Sequence, residues 1–113
     1  MKEKKLKNIH PGEILLEDFL KPMELSQYRL SIDSGISHAS ITRIIQGKQG
    51  ISPEMAVKLA DFFENSARFW LGLQMDYEIE EIERLKQRNR NVSLLKRKRI
   101  ATKKRAIGMA NKS

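Results

Sequence analysis

The side chains with the most evident chemistry lie between residues 26 and 47, where hydrogen-bonding groups are concentrated. The second half of this segment carries small, hydrogen-bonding and cationic residues: His38, Ala39, Ser40, Thr42 and Arg43. On a helix that begins near Ser37, the apolar Ile41 and Ile44 share one face and leave this set on the other. Small and hydrogen-bonding side chains on an outward helix face can meet base edges in the major groove of DNA.

The same segment has the layout of two short helices joined by a tight turn. Leu30 and Ile36 are apolar, and Ser31 is small at the point where two helices would cross. Gly35 suits a turn position that needs positive φ, and Ser37 suits the N-cap of the second helix. A helix-turn-helix needs this division, because its second helix lies in a major groove. An ordinary αα-hairpin within a helical bundle has the same spacing, so the segment alone leaves both structures open.

Two kinds of DNA contact are predicted from these residues. Arg43 can donate two hydrogen bonds to guanine O6 and N7, and a methyl group of Ala39 or Thr42 can pack on a thymine methyl. His38 can donate or accept a hydrogen bond, although an ordinary exposed histidine has the same pattern. The predicted base contacts are therefore His38, Ala39, Ser40, Thr42 and Arg43. Phosphate contacts are predicted at helix starts and just past the recognition helix: Ser26, Gln27, Ser37 and Lys48. For Lys48 the alternative is a solvated surface lysine.

Helix caps and apolar spacing predict five helices, and no segment alternates with period two over strand length. The first begins at Pro11 and ends at Pro22. The second runs from about residue 27 to 34 and the third from 37 to 46, with Gly47 as a left-handed residue behind it. The fourth helix begins after the N-cap Ser52, and its predicted buried residues are Met55, Leu59, Phe62 and Phe63. The fifth helix is capped by Ser66, and its predicted buried residues are Phe69, Trp70, Leu73 and Tyr77. His10 is interpreted as a residue of the first helix start, not as a metal ligand.

The net charge of +8 is confined to one end of the chain. Residues 1–77 hold ten basic and ten acidic residues, whereas from Arg84 onward there are twelve basic residues and no acidic one. The fifth helix is predicted to continue past Tyr77, with Ile79, Ile82 and Leu85 as a narrow apolar stripe. Residues 92–106 then form a basic amphipathic helix or become ordered only on binding. We expect a domain over residues 9–77 and, over 78–113, a helical extension with a basic tail that contacts a polyanion or stays solvated.

Composition argues against several other classes of protein. At 113 residues the chain is expected to form one domain, with or without a tail. Because the chain has no Cys, a disulfide framework and a thiolate metal site are excluded. No apolar run approaches a membrane span, and the basic N-terminus has no apolar core of a secretory signal. No catalytic arrangement, phosphate-binding glycine loop or metal constellation is recognisable. We therefore predict a soluble cytoplasmic protein that is not an enzyme and needs no cofactor or metal.

Four stretches together resemble the HigA (VapI-like) antitoxins, within the lambda-repressor or Cro-type helix-turn-helix superfamily. They are HPGEILLEDFL, LSQYRL, IIQGKQGISPEMAVKLADFF and FWLGLQMDY, and they extend over roughly residues 9–77. The resemblance implies an all-α, five-helix lambda-repressor-like domain in which the Gln27 position contacts phosphate. It also implies a dimer that represses its own operon and partners a HigB-type toxin, a ribosome-associated mRNA endonuclease. The basic extension from Arg84 departs from the family, whose C-terminal segment is typically short.

Three functions stay open at this point. The first is a dimeric repressor that also serves as an antitoxin, and the second is a regulator of the same fold without a toxin. The third is an interaction or RNA-binding module in which the basic tail binds. One recognition helix reads few base pairs, so a repressor of this type is expected to bind an inverted repeat as a two-fold dimer. The dimer contact is predicted at Ile79, Ile82 and Leu85, because this stripe has no place in a five-helix core.

Overall fold

The computed structural model describes the backbone of residues 6–107 and the side chains of residues 6–92, and within that range every regular element is helical. Helix α1 covers residues 11–23 in three consecutive pieces, Pro11–Ile14, Leu15–Leu20 and Lys21–Met23. The remaining helices are α2 (Gln27–Ser34), α3 (His38–Ile45), α4 (Pro53–Phe63) and α5 (Ala67–Ile107). The predicted all-α architecture with five helices is confirmed.

Serine hydroxyls cap four of these helices. The Oγ atoms of Ser26, Ser37, Ser52 and Ser66 each accept a hydrogen bond from the backbone N–H three residues later, over 3.0 to 3.2 Å. Each bond satisfies one of the donors that a helix start leaves without a partner inside the helix. The caps predicted at Ser37, Ser52 and Ser66 are confirmed, and Gly47 has the predicted left-handed backbone with φ of 76°.

The prediction that α1 ends at Pro22 is wrong. The helix continues to Met23 and ends at Glu24, which has a left-handed backbone with φ of 53°. Pro22 has no N–H and its ring would clash with the carbonyl four residues earlier in a regular α-helix. The preceding piece, Leu15–Leu20, is a wider π-helix, in which the Lys21 N–H bonds the Leu16 carbonyl five residues back. This local widening accommodates the proline without breaking the helix.

The core lies where the five helices meet, and each of them contributes to it. Leu15 and Leu20 of α1 are buried against apolar residues of the other four helices: Leu30, Ile41, Ile44, Leu59 and Trp70. The Trp70 ring has no exposed surface, and its indole N–H donates to Asn65 Oδ1 at 2.8 Å. Phe69, predicted as buried, is 40% exposed and covers the edge of Trp70, with ring centroids 5.0 Å apart. Phe69 precedes Trp70 by one residue, which is about 100° around α5, and so it reaches only the margin of the core.

Helix α5 continues well past Tyr77, as predicted, and is 41 residues long. Contacts divide the chain into two compact units, one ending at Glu80 and the other beginning at Glu81. The division falls within α5, three residues beyond the boundary expected after Tyr77. Residues 108–113 of the predicted basic tail lie outside the described residues.

The start of α1 is fixed by contacts with α3 and α5. His10 is 8% exposed, and its Nδ1 accepts a hydrogen bond from the Gly12 N–H at 2.9 Å. Its ring packs edge-on against Tyr77, with centroids 4.8 Å apart. A Cβ on Gly12 would lie 1.9 Å from the carbonyl oxygen of Ile44, so α1 can approach the last turn of α3 only with glycine at this position. The interpretation of His10 as a helix-start residue is confirmed.

We expect Gly12→Ala to lower the free energy of unfolding by at least about 2 kcal/mol, because the added methyl group would force α1 away from α3. Gly72 of α5 is the matched control, since a Cβ there would meet no atom within 4 Å. Gly72→Ala should instead stabilise by about 0.5–1 kcal/mol through helix propensity. Urea unfolding followed by circular dichroism measures both changes. A Gly12→Ala protein as stable as the Gly72→Ala protein would contradict the close approach.

His10 should also make stability depend on pH. Burial lowers the pKa of its imidazole below the ordinary 6.5, and the Glu13 carboxylate partly opposes this shift. The unfolded chain therefore binds the proton more readily than the folded one, and stability present above pH 6.5 is lost as pH falls towards the lowered pKa. Urea unfolding should show this loss as the pH is lowered below 6.5. His10→Asn keeps an acceptor for the Gly12 N–H without titrating, and should flatten the profile. An unchanged profile in that variant would exclude His10 as the cause.

Candidate DNA interface

Helix α3 is divided into a buried and an outward face. Ile41 and Ile44 have no exposed surface. The predicted base-contact residues lie on the other side: His38, Ala39 and Arg43 are exposed, and Ser40 and Thr42 are half-buried. None of the five predicted residues is buried, so all of them lie outside the core-facing side of α3, and we call this set the reading face.

Side-chain contacts join the two helices of the helix-turn-helix segment. Thr42 Oγ1 of α3 donates a hydrogen bond to Gln27 Oε1 of α2 at 3.0 Å. The Gln27 amide nitrogen keeps its two hydrogens for a phosphate, and the Thr42 oxygen can still accept. At the start of α3, the His38 ring lies edge-on to Tyr28, with centroids 6.1 Å apart. One hydrogen bond and one ring contact, in addition to the core, therefore hold the reading face against α2.

Arg43 has a definite orientation on the reading face. Its Nε–H donates to Gln49 Oε1 at 2.7 Å, and Gln49 Nε2 lies 3.8 Å from the sulfur of Met55. Gln49 is half-buried, whereas Arg43 is exposed. The guanidinium carries five N–H donors, so four of them, on its two terminal nitrogens, are available to an acceptor such as guanine.

The loop between α3 and α4 is anchored to α5 by Gln74. The Ile51 N–H donates to Gln74 Oε1 at 2.8 Å, and Gln74 Nε2 donates to Glu78 at 2.8 Å. A Cβ on Gly50 would lie 2.7 Å from the Gln74 amide, so any larger residue at this position would displace that side chain. Gln74 is itself buried, at 9% exposure. The loop that carries Gln49 therefore has a fixed path.

The predicted phosphate-contact residues lie at the starts of α2 and α3 and just past the end of α3. Ser26 and Ser37 are exposed N-caps, and their hydroxyl groups can donate to a phosphate while their oxygens accept from the helix. Lys48 is exposed, and its backbone N–H donates to the Arg43 carbonyl at 2.8 Å. These positions are compatible with phosphate contacts, which remain predictions.

The charge of this region is modestly positive. Residues 26–50 hold Arg29, Arg43 and Lys48 against one acid, Asp33. Arg29 is paired with Asp33 at 3.0 Å on the surface of α2. Arg43 on the reading face and Lys48 just past α3 carry the remaining positive charge of this segment. Local hydrogen bonding must therefore contribute much of any discrimination between sequences.

The residues of the predicted dimer contact are exposed in this chain. Ile79, Ile82 and Leu85 of α5 are 48%, 63% and 50% exposed. Apolar side chains so exposed are available to a partner. Among the described residues, no cluster of His, Asp and Glu side chains could hold a metal ion. No helix in that range has the length and apolar character to cross a membrane.

Comparison with known proteins agrees with this geometry. The sequence matches the helix-turn-helix family over residues 16–70. It is 39% identical over 79 residues to virulence-associated protein I of Dichelobacter nodosus. The aligned region covers 70% of this chain and 73% of that protein. The chain belongs to the VapI/HigA family of helix-turn-helix proteins. The described fold is that of this family, which comprises DNA-binding regulators and antitoxins.

Two solved structures show family members with DNA. Antitoxin HigA of Pseudomonas aeruginosa, solved with the higBA promoter, is 32% identical with a TM-score of 0.70, covering 74% of this chain and 90% of that one. Antitoxin GraA in complex with its operator is 31% identical with a TM-score of 0.66, covering 74% and 85%. This VapI/HigA-family chain therefore shares the fold of two family members that were solved with DNA.

Sequence reasoning missed the two glutamines that support the reading face. Gln74 lies four residues after the buried Trp70, so helical spacing alone places it on the inner face of α5. Nothing comparable singles out Gln49, which lies in a polar loop between two glycines. Its partner is six residues away, and only the backbone path of the loop brings the two side chains together.

Proposed function

We propose that this VapI/HigA-family protein is a sequence-specific transcriptional repressor and the antitoxin of a HigB/HigA-type module that regulates its own operon. The observation that carries the proposal is the reading face, where five side chains suited to base edges lie opposite a fully buried face of α3. A binding role of this kind needs no catalytic group, and the proposed location is the cytoplasm. The HigA and GraA structures with promoter and operator DNA support the DNA-binding half.

The proposed binding unit is a homodimer on an inverted repeat. A single α3 contacts only a few base pairs, and two-fold pairing doubles the sequence that is read. We place the dimer contact at Ile79, Ile82 and Leu85, since α5 leaves these apolar side chains exposed. Half-site centres about 34–36 Å apart, one turn of B-DNA, follow from this arrangement.

The DNA-binding half is tested on the duplex immediately upstream of the gene. The protein should protect two half-sites from nuclease there, and Arg43→Ala should weaken binding by about 1–3 kcal/mol. Binding of that variant to random duplex should barely change, because Arg43 is assigned to a base. Arg68→Ala is the matched control, since it removes an exposed arginine outside the helix-turn-helix segment. Equal losses of affinity for upstream and random DNA would show that Arg43 contacts phosphate only. Protection of a single half-site by one protomer would refute the proposed dimer.

The antitoxin half is tested by co-expression with the product of the neighbouring reading frame in a bacterial host. That product should arrest growth alone, and this protein should restore growth. Arg43→Ala should still restore growth, because neutralisation by a protein–protein contact does not need the reading face. A neighbouring product without toxicity, or toxicity that this protein leaves unchanged, would identify instead a regulator without a toxin partner.

A further inference from the structure

We propose that Gln49 is a specificity-determining positioning residue, which holds Arg43 so that the two terminal nitrogens of its guanidinium meet one guanine. The inference rests on the proposed DNA-binding function and deepens it. Gln49 Oε1 accepts from Arg43 Nε at 2.7 Å, a short distance for a hydrogen bond from a charged donor. The contact therefore restricts the side chain with the greatest capacity for base recognition on the reading face.

The geometry of the guanidinium determines what this restriction does. Arginine can pair with O6 and N7 of guanine through its two terminal nitrogens, or through Nε and one terminal nitrogen. Gln49 occupies Nε, so only the first arrangement is available while the contact holds. Arg43 is thereby limited to an end-on approach to the base.

The support behind Gln49 explains why a loop residue can fix an arginine. The loop bends at Gly47 with φ of 76° and is tied to the buried Gln74 through the Ile51 N–H at 2.8 Å. Gln49 also contacts the Met55 sulfur at the start of α4. Both ends of the loop and the side chain itself are held, so the acceptor is in place before DNA arrives. A long side chain that is ordered beforehand loses less conformational entropy on binding.

The test uses the full-length protein and the duplex that it selects from a random-sequence pool. Arg43→Ala first identifies the base pair at which preference relaxes. Gln49→Leu, which keeps bulk but removes the acceptor, should relax preference at that same base pair and weaken binding roughly 3- to 10-fold. Gln49→Glu keeps the acceptor and should retain the preference, although its negative charge weakens all duplexes. In an Arg43→Ala background, Gln49→Leu should have no further effect.

Each other outcome overturns the inference. Relaxation at a different base pair, or a further loss in the Arg43→Ala background, would mean that Gln49 contacts DNA itself. A loss equal on all duplexes would mean that Gln49 only supports the fold or a phosphate contact, and an unchanged Gln49→Leu protein would mean that Arg43 needs no support. If the wild-type protein selects no duplex, the proposed DNA-binding function itself is refuted. That result differs from every outcome that refutes only the role of Gln49.

Discussion

The close approach of Gly12 to the Ile44 carbonyl is the constraint on which the position of the reading face depends. With no side chain at residue 12, the start of α1 lies directly against the last turn of α3. The partial positive charge of a helix start then meets a carbonyl group at a helix end, which is a favourable arrangement of backbone dipoles. His10 completes the contact by capping α1 while its ring packs on Tyr77. One short motif thus connects α1, α3 and α5.

The recognition helix is held along its whole length by groups that do not belong to the reading face. Ser37 caps its start, Ile41 and Ile44 fix it in the core, and Gln74 anchors the loop behind it. None of these anchors uses an outward side chain, while Thr42 and Arg43 make additional bonds to Gln27 and Gln49. The outward residues can therefore vary while the anchors of the helix stay in place. The same scaffold can therefore carry different sequence preferences, as a family of regulators requires.

Structural features that depend on local signals could be predicted from the sequence, whereas contacts between side chains that are distant in the chain could not. Serine caps, glycine after α3 and apolar spacing predicted the five helices, since caps and periodicity act within a few residues. The end of α1 was misplaced because the π-helix that accommodates Pro22 has no simple sequence signal. The outward residues of α3 could be identified in advance, whereas the bond between Arg43 and Gln49 depends on the path of a loop that is anchored 23 residues further along the chain.

The net positive charge and the helix-turn-helix segment lie in different parts of this chain. Residues 1–77 balance ten basic against ten acidic residues, while every charged residue from Arg84 onward is basic. A neutral domain exerts little long-range attraction on DNA, so the sequence preference that we propose for the reading face would have to come from contacts made at short range. The basic extension can attract any polyanion, and attraction to phosphates adds equally to every sequence. For the DNA-binding function proposed above, we therefore expect the charge of the extension to affect binding to all sequences alike.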